Sequence, residues 1–185
     1  MWLSRLVSHT KVLKMGQRDA AHLLSGVVEF DNAYFGDPTA GGKRGRGTKK
    51  AKVFVALSLD GHGNPQHLKM GVTKNIKQTS VKKSANRTIT AGSTICSNSY
   101  RSCIPALEDY AHEYKAYDPN SGMLHWLHIV VCNAKVLILG TYHGLPKNHL
   151  QSYPDEFAFR FSCRAFGGLL TQRLIHAAAC SWMAC

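Results

Sequence analysis

Acidic residues are scarce in this chain: 11 Asp and Glu stand against 23 Lys and Arg, for a formal charge of +12. So few carboxylates argue against a cationic partner and for a polyanion, because neutralising phosphates releases condensed counterions. Nucleic acid comes first and an anionic membrane surface second. No apolar run approaches the roughly 20 residues that span a bilayer. The longest, Ile129 to Leu139, is interrupted by Asn133 and Lys135, and Met1–Val7 is too short for a signal peptide. A soluble chain with no membrane partner is expected. The six cysteines, Cys96, Cys103, Cys132, Cys163, Cys180 and Cys185, form no C-x-x-C pair. Neither a zinc ribbon nor a redox motif is therefore readable, and buried or incidental thiols in a reducing cytoplasm are expected. There is no internal repeat. No aromatic RNP strand is present either, so an RNA-binding reading rests on charge alone.

What is present suits one folded domain. The 185 residues are 44% hydrophobic, enough for a single core. Residues 1–25 read as a short N-terminal helical segment, with Arg18 to Leu24 amphipathic and Gly26 as its stop; the domain proper is expected over 26–180. The charge is lopsided: residues 1–90 carry 16 of the 23 basic side chains against 5 acids, and residues 91–185 carry 7 against 6. One half should therefore build a basic face.

The hydrophobic period gives the order of elements. Val27–Phe35 is β-branched and aromatic with near alternation, a strand that puts Glu29 and Asp31 on one face. A Gly-rich basic loop, 36–52, leads to a strand at Val53–Leu59. Asp60-Gly61-His62-Gly63-Asn64-Pro65 then turns into a third strand at Gln66–Val72. A Lys-studded helix is expected at Thr79–Arg87 and a short buried strand from Gly92 to Cys96, ending at Ser97-Asn98. A helix around Ile104–Tyr110, a strand at His112–Tyr117 and two or three helices from about Val130 complete the chain. Three antiparallel strands followed by alternation with helices predict an α/β sheet of mixed direction, helices packed on its faces.

Three blocks carry a more specific signal. Val28-Glu29-Phe30-Asp31-Asn32-Ala33-Tyr34-Phe35-Gly36 with Gly42-Lys43-Arg44-Gly45-Arg46-Gly47-Thr48 is the first. Gly92-Ser93-Thr94-Ile95-Cys96-Ser97-Asn98-Ser99-Tyr100-Arg101-Ser102 is the second, and Asn133-Ala134-Lys135 through Gly140-Thr141-Tyr142-His143-Gly144 the third. In this order, with the tail Lys147–Leu150, Asp155–Phe157 and Phe159–Phe161, they resemble the ISXO-type insertion-sequence transposase domain of the DDE superfamily, over about residues 11–180. The resemblance implies an RNase H-like fold and DNA transposition. Carboxylates from separate elements would hold Mg²⁺ or Mn²⁺ for cleavage and transfer of a DNA strand. Double-stranded DNA at the ends of a mobile element is the implied partner, with a homo-oligomer as a possible assembly.

The family's first acid falls on Asp31, its second on Asn98 and its third on Asn133, at spacings of 67 and 35 residues. Asn133 with Lys135 is similar to branches that dispense with the last acid. Asn98 is the departure that matters, because an amide offers a neutral oxygen where Mg²⁺ takes a charged one. His143 is carried over with the Thr-Tyr-His string. Lys43, Arg44, Arg46, Lys49 and Lys50 are the DNA-contact candidates, their glycines letting backbone N–H groups approach phosphate. The chain begins just upstream of the catalytic strand, so the resemblance implies loss of an N-terminal zinc ribbon and DNA-reading module. Cys103, Cys163 and Pro154 also depart from the pattern. The expectation is an inactive copy, the alternative a non-catalytic DNA-binding remnant with a basic face. Bland readings stand beside these: Asn98 as a cap before a helix at Ser99, Asn133 and Lys135 as the wet face of a helix, 43–52 as a solvated loop, and His143 as structural.

Overall fold

The computed structural model describes residues 22–36, 50–116, 118, 122–141, 150–169 and 172. Val27–Phe35 forms β1, Ala51–Leu59 β2 and Pro65–Thr73 β3; Gln78–Thr88 is α1, Thr94–Asn98 β4 and Ala111–Lys115 β5. His125–Thr141 is α2, Ser152–Ser162 α3, and Arg164–Leu169 a final 3-10 helix. The five strands form one sheet in the order β3-β2-β1-β4-β5. β1 and β2 pair antiparallel, as do β2 and β3, whereas β4 runs parallel to β1 and β5 parallel to β4. The mixed α/β architecture and its opening three-strand meander agree with the sequence reading.

Alternation in β1 separates two cores. Val28 and Phe30 join Phe54, Ala56 and Ile95 under α1, whose Val81 and Ala85 are buried. Phe30 and Phe54 stack at 5.6 Å between ring centroids. Ala33 and Phe35 face the other way, with Val53, Val55, Leu57, Leu68 and Met70, under α2 and α3. Glu29 and Asp31 share that second face by the period of two, so two carboxylates are set into the layer beneath α2.

The hairpin after β2 closes on Asp60, whose Oδ1 accepts from His62 N at 2.9 Å and Asn64 N at 2.8 Å. Gly63 takes a positive φ of 79° there, a conformation glycine adopts without a Cβ clash. β3 is an edge strand, yet α3 and the chain after it seal its outer side. Gln151 accepts from Val72 N at 2.7 Å and donates to Met70 O at 2.9 Å. Ser162 Oγ accepts from Leu68 N at 3.0 Å, and Arg164 donates to the carbonyls of Gln66 and Pro65. Pairing groups left open on an edge invite another strand; here side chains take their place.

Three expectations change. Ile104–Tyr110 is a series of turns instead of a helix, held by bonds such as Ala106 N to Cys103 O and Tyr110 N to Leu107 O. Tertiary burial of Cys103, Ala106 and Leu107 fixes the turns, since Pro105 in a first turn would by itself be compatible with a helix. The helix expected up to Leu24 does not include its last residues. Leu24 is extended and bridges Ile89, with Leu24 N donating to Thr88 O at 2.8 Å; residues 1–21 of that expectation lie outside the described residues. α2 begins at His125, five residues before the expected start. Pro154 sits in the first turn of α3, where a missing N–H costs nothing. Among the described cysteines, Cys103 is buried and Cys132 exposed.

Candidate active site

The parallel pairing of β1 with β4 brings the site together. Its last partners are Phe30 and Ser97, so Asp31 and Asn98 leave the ladder side by side. Asn98 Nδ2 donates to Asp31 Oδ1 at 2.9 Å. The other end of the same amide, Oδ1, accepts from Tyr100 N at 3.3 Å. This network fixes the amide's orientation, since the reverse would set oxygen against carboxylate oxygen and NH₂ against N–H. Asn98 therefore caps a series of turns, where the bland reading expected a helix at Ser99, and also touches Asp31. Asp31 Oδ1 accepts a second bond from Asn32 N at 2.7 Å. Burial pushes the Asp31 carboxyl above its ordinary value of 3.8; Asn32 N–H, nearby His128 and the Asn98 amide pull back against it.

Glu29 lies one pleat earlier and is 6% exposed. Its Oε2 accepts from Leu127 N at 2.7 Å, serving one of the donors that the first turn of a helix leaves open. Burial raises the Glu29 pKa above 4.5, with the Leu127 bond and His125 opposing. Two acids of β1 thus meet the start of α2 in register: Glu29 against His125 and Leu127, Asp31 against His128.

Asn133 is on α2, as expected, but exposed and about 7.5 Å further along the helix axis than His128. It lines a depression of about 320 Å³ with His125, His128, Ile129 and Cys132, and no hydrogen bond joins it to Asp31 or Asn98. Lys135 is half-buried on the same helix. His143, Lys43, Arg44, Arg46 and Lys49 lie outside the described residues. Lys50 is half-buried at the entry to β2, within 3.8 Å of the position a Cβ on Gly36 would take, so the two ends of the basic loop emerge beside each other.

His125 and His128 are not among the residues that the sequence reading singles out. Their i, i+3 separation on one helix face was the available signal. It also missed Glu113, which register sets opposite Cys96 on the site's face of the sheet; the Cys96 thiol donates to its Oε2 at 3.9 Å. On the other face, Ser97 Oγ and His112 Nε2 lie 2.8 Å apart. Ser97 is fully buried, so this pair joins strands and presents no nucleophile. Among the described residues, no three His, Cys, Asp or Glu side chains gather as a metal-binding group.

A meander of three strands joined to a parallel pair, with helices on both faces, defines an RNase H-like α/β domain. The sequence pattern of the ISXO2-like transposase domain matches residues 23–162, and the chain belongs to that family. The match is shorter at both ends than the resemblance suggested. It makes the chain a DDE-superfamily transposase domain of the insertion-sequence type, a family that acts on DNA and implies a divalent metal. No curated protein is significantly similar in sequence. Among the described residues, no helix is long and apolar enough to cross a membrane.

Proposed function

We propose that this domain keeps the scaffold of a DNA strand-cleaving and strand-transfer site, with Asp31, Asn98 and Asn133 in the three ligand positions, and has lost the metal-dependent activity. The 2.9 Å bond from Asn98 Nδ2 to Asp31 Oδ1 carries the reading. A divalent ion shared by these positions needs oxygen lone pairs aimed at one point. Instead, Asn98 turns its NH₂ toward Asp31 and commits its oxygen to Tyr100 N–H. Asp31 Oδ1 already receives two N–H donors, and burial favours its uncharged form. Glu29 is no substitute, because its Oε2 is held by Leu127 N–H. The residues present do not fit Mg²⁺ or Mn²⁺, and no catalytic step is derived through either.

What remains is binding of double-stranded DNA such as transposon ends, with Lys43, Arg44, Arg46, Lys49 and Lys50 as the sequence's candidate contacts. Lys135 and His143 stay with the site by family position only. The test is calorimetry of Mg²⁺ and Mn²⁺ binding, paired with nicking and strand-transfer assays, on the unmodified chain and on Asn98→Asp. The unmodified chain should neither bind metal in the millimolar range nor cut. Asn98→Asp should gain metal affinity, since it returns a charged oxygen at a prepared position. Mg²⁺-dependent cleavage by the unmodified chain, or no gain in a well-folded Asn98→Asp, would overturn the reading.

A further inference from the structure

A broad concavity among the described residues lies away from the candidate site. It is a groove of about 650 Å³ along the outer edge of β3, between α1 and α3, and Lys69, Lys74, Lys83 and Arg87 are among its lining residues. Asp155 is the acid that lines it, and its Oδ1 already accepts from Gln151 Nε2 at 2.8 Å. Lys74, Lys83 and Arg87 are exposed, and among the described residues none has a carboxylate within ion-pair distance. The neighbouring Lys82, by contrast, is paired with Asp109 at 2.8 Å, outside the groove.

We propose that this groove seats the phosphodiester backbone of a DNA duplex, as a contact separate from both the Asp31–Asn98 site and the loop 43–50. The proposal rests on the reading of the chain as a DNA-binding domain. Two observations select the occupant. First, a peptide strand finds no open ladder there, because Val72 N, Met70 O and Leu68 N are taken by Gln151 and Ser162. What the groove offers is positive charge. Second, Lys83 and Arg87 are one helical turn apart, about 6 Å, on a helix fixed to the sheet by Val81 and Ala85. They stand as a stripe on a rigid element, so the groove follows a chain of charges and does not pinch a single anion.

Placement separates this contact from the chemistry. β3 is two strands from β1, about 10 Å, and α1 covers the face of the sheet opposite Asp31. Duplex in the groove would therefore lie along the outer edge of the sheet, off the face that carries Asp31.

The experiment measures affinity of the full chain for a duplex of arbitrary sequence across a salt series. It compares the parent, Lys74→Ala/Lys83→Ala/Arg87→Ala, and Lys82→Ala as a control outside the groove. The log–log salt slope should fall by up to about 2.7 in the triple variant, about 0.9 for each phosphate that is no longer neutralised, with at least a tenfold fall in affinity at low salt. Lys82→Ala should change little. Should the triple variant be poorly folded, hydrogen exchange of the parent answers instead, and amides of 74–88 should gain protection when duplex is added. A parent that binds duplex while the triple variant keeps its slope, or while 74–88 gain no protection, would overturn the groove and leave the DNA reading standing. A parent that does not bind duplex, including one that binds anionic phospholipid vesicles instead, would overturn both.

Discussion

Removing the Glu29 carboxylate asks whether this buried acid is a builder of the site or a spare ligand. Glu29 is 6% exposed and its Oε2 holds Leu127 N at 2.7 Å. Glu29→Ala would leave that N–H in the interior without an acceptor, at a cost of about 1–3 kcal/mol. Glu29→Gln keeps an oxygen of the same shape to accept from Leu127 N, and burial already disfavours the charge it removes, so it should cost less than Glu29→Ala. A domain of this length shifts its Tm by roughly 2–4 °C per kcal/mol, which separates the two variants in a thermal melt. Urea unfolding followed by far-UV circular dichroism gives the free energies directly. If Glu29→Ala unfolds within about 0.5 kcal/mol of the parent, a margin typical of surface changes, the cap is idle and the reasoning fails. It fails equally if the parent binds Mg²⁺ and Glu29→Gln abolishes that binding at unchanged stability.

Acidity offers a second check. Glu29 is raised above 4.5 in the folded state, so the native form binds the proton more tightly and stability is lost as pH rises through the folded value. Acidifying from neutrality toward pH 4.5 should therefore stabilise the parent relative to Glu29→Gln. The difference between the two is the readout, because half-buried His112, held below 6.5 by burial, works in the opposite direction in that window and cancels in the comparison. A parent-minus-variant difference that does not change with pH would refute the assignment. Gln151→Ala should cost about 1–2 kcal/mol by freeing two edge groups of β3. It should also raise self-association in sedimentation velocity, and an unchanged monomer of parental stability would show that the edge needs no cover.

Much of the architecture was legible because the face of each strand follows from its period. Val28 and Phe30 against Ala33 and Phe35 announced a two-sided β1, and Asp60 to Pro65 announced the hairpin. Ile104–Tyr110 is misread because its apolar spacing suits a helix, whereas burial of Cys103, Ala106 and Leu107 is met by a chain of turns. Leu24 was misread for a related reason: its partner, Ile89, lies 65 residues away, and a local pattern holds no trace of such a bridge. The sealing of β3 by Gln151, Ser162 and Arg164 was equally invisible, since nothing in the sequence of a polar residue says which strand it will meet.

The site divides along the same line. Motif position singles out Asp31 and Asn98, and a parallel ladder ending at Phe30 and Ser97 brings the two side chains into contact. The residue type at position 98 carries the proposal of a lost charge, and the geometry adds that the amide turns its NH₂ toward Asp31. Glu29 shows the converse. As a carboxylate two residues from Asp31 on the same face, it reads from sequence as a possible rescuer, yet it is committed to Leu127 on a helix almost a hundred positions later. An acid spent on positioning α2 is not available for a metal without releasing the helix that carries His128 and Asn133. Restoring the second acid at position 98 is therefore a smaller step toward a metal site than recruiting Glu29, because Asn98 holds only a turn and Glu29 holds one wall of the site.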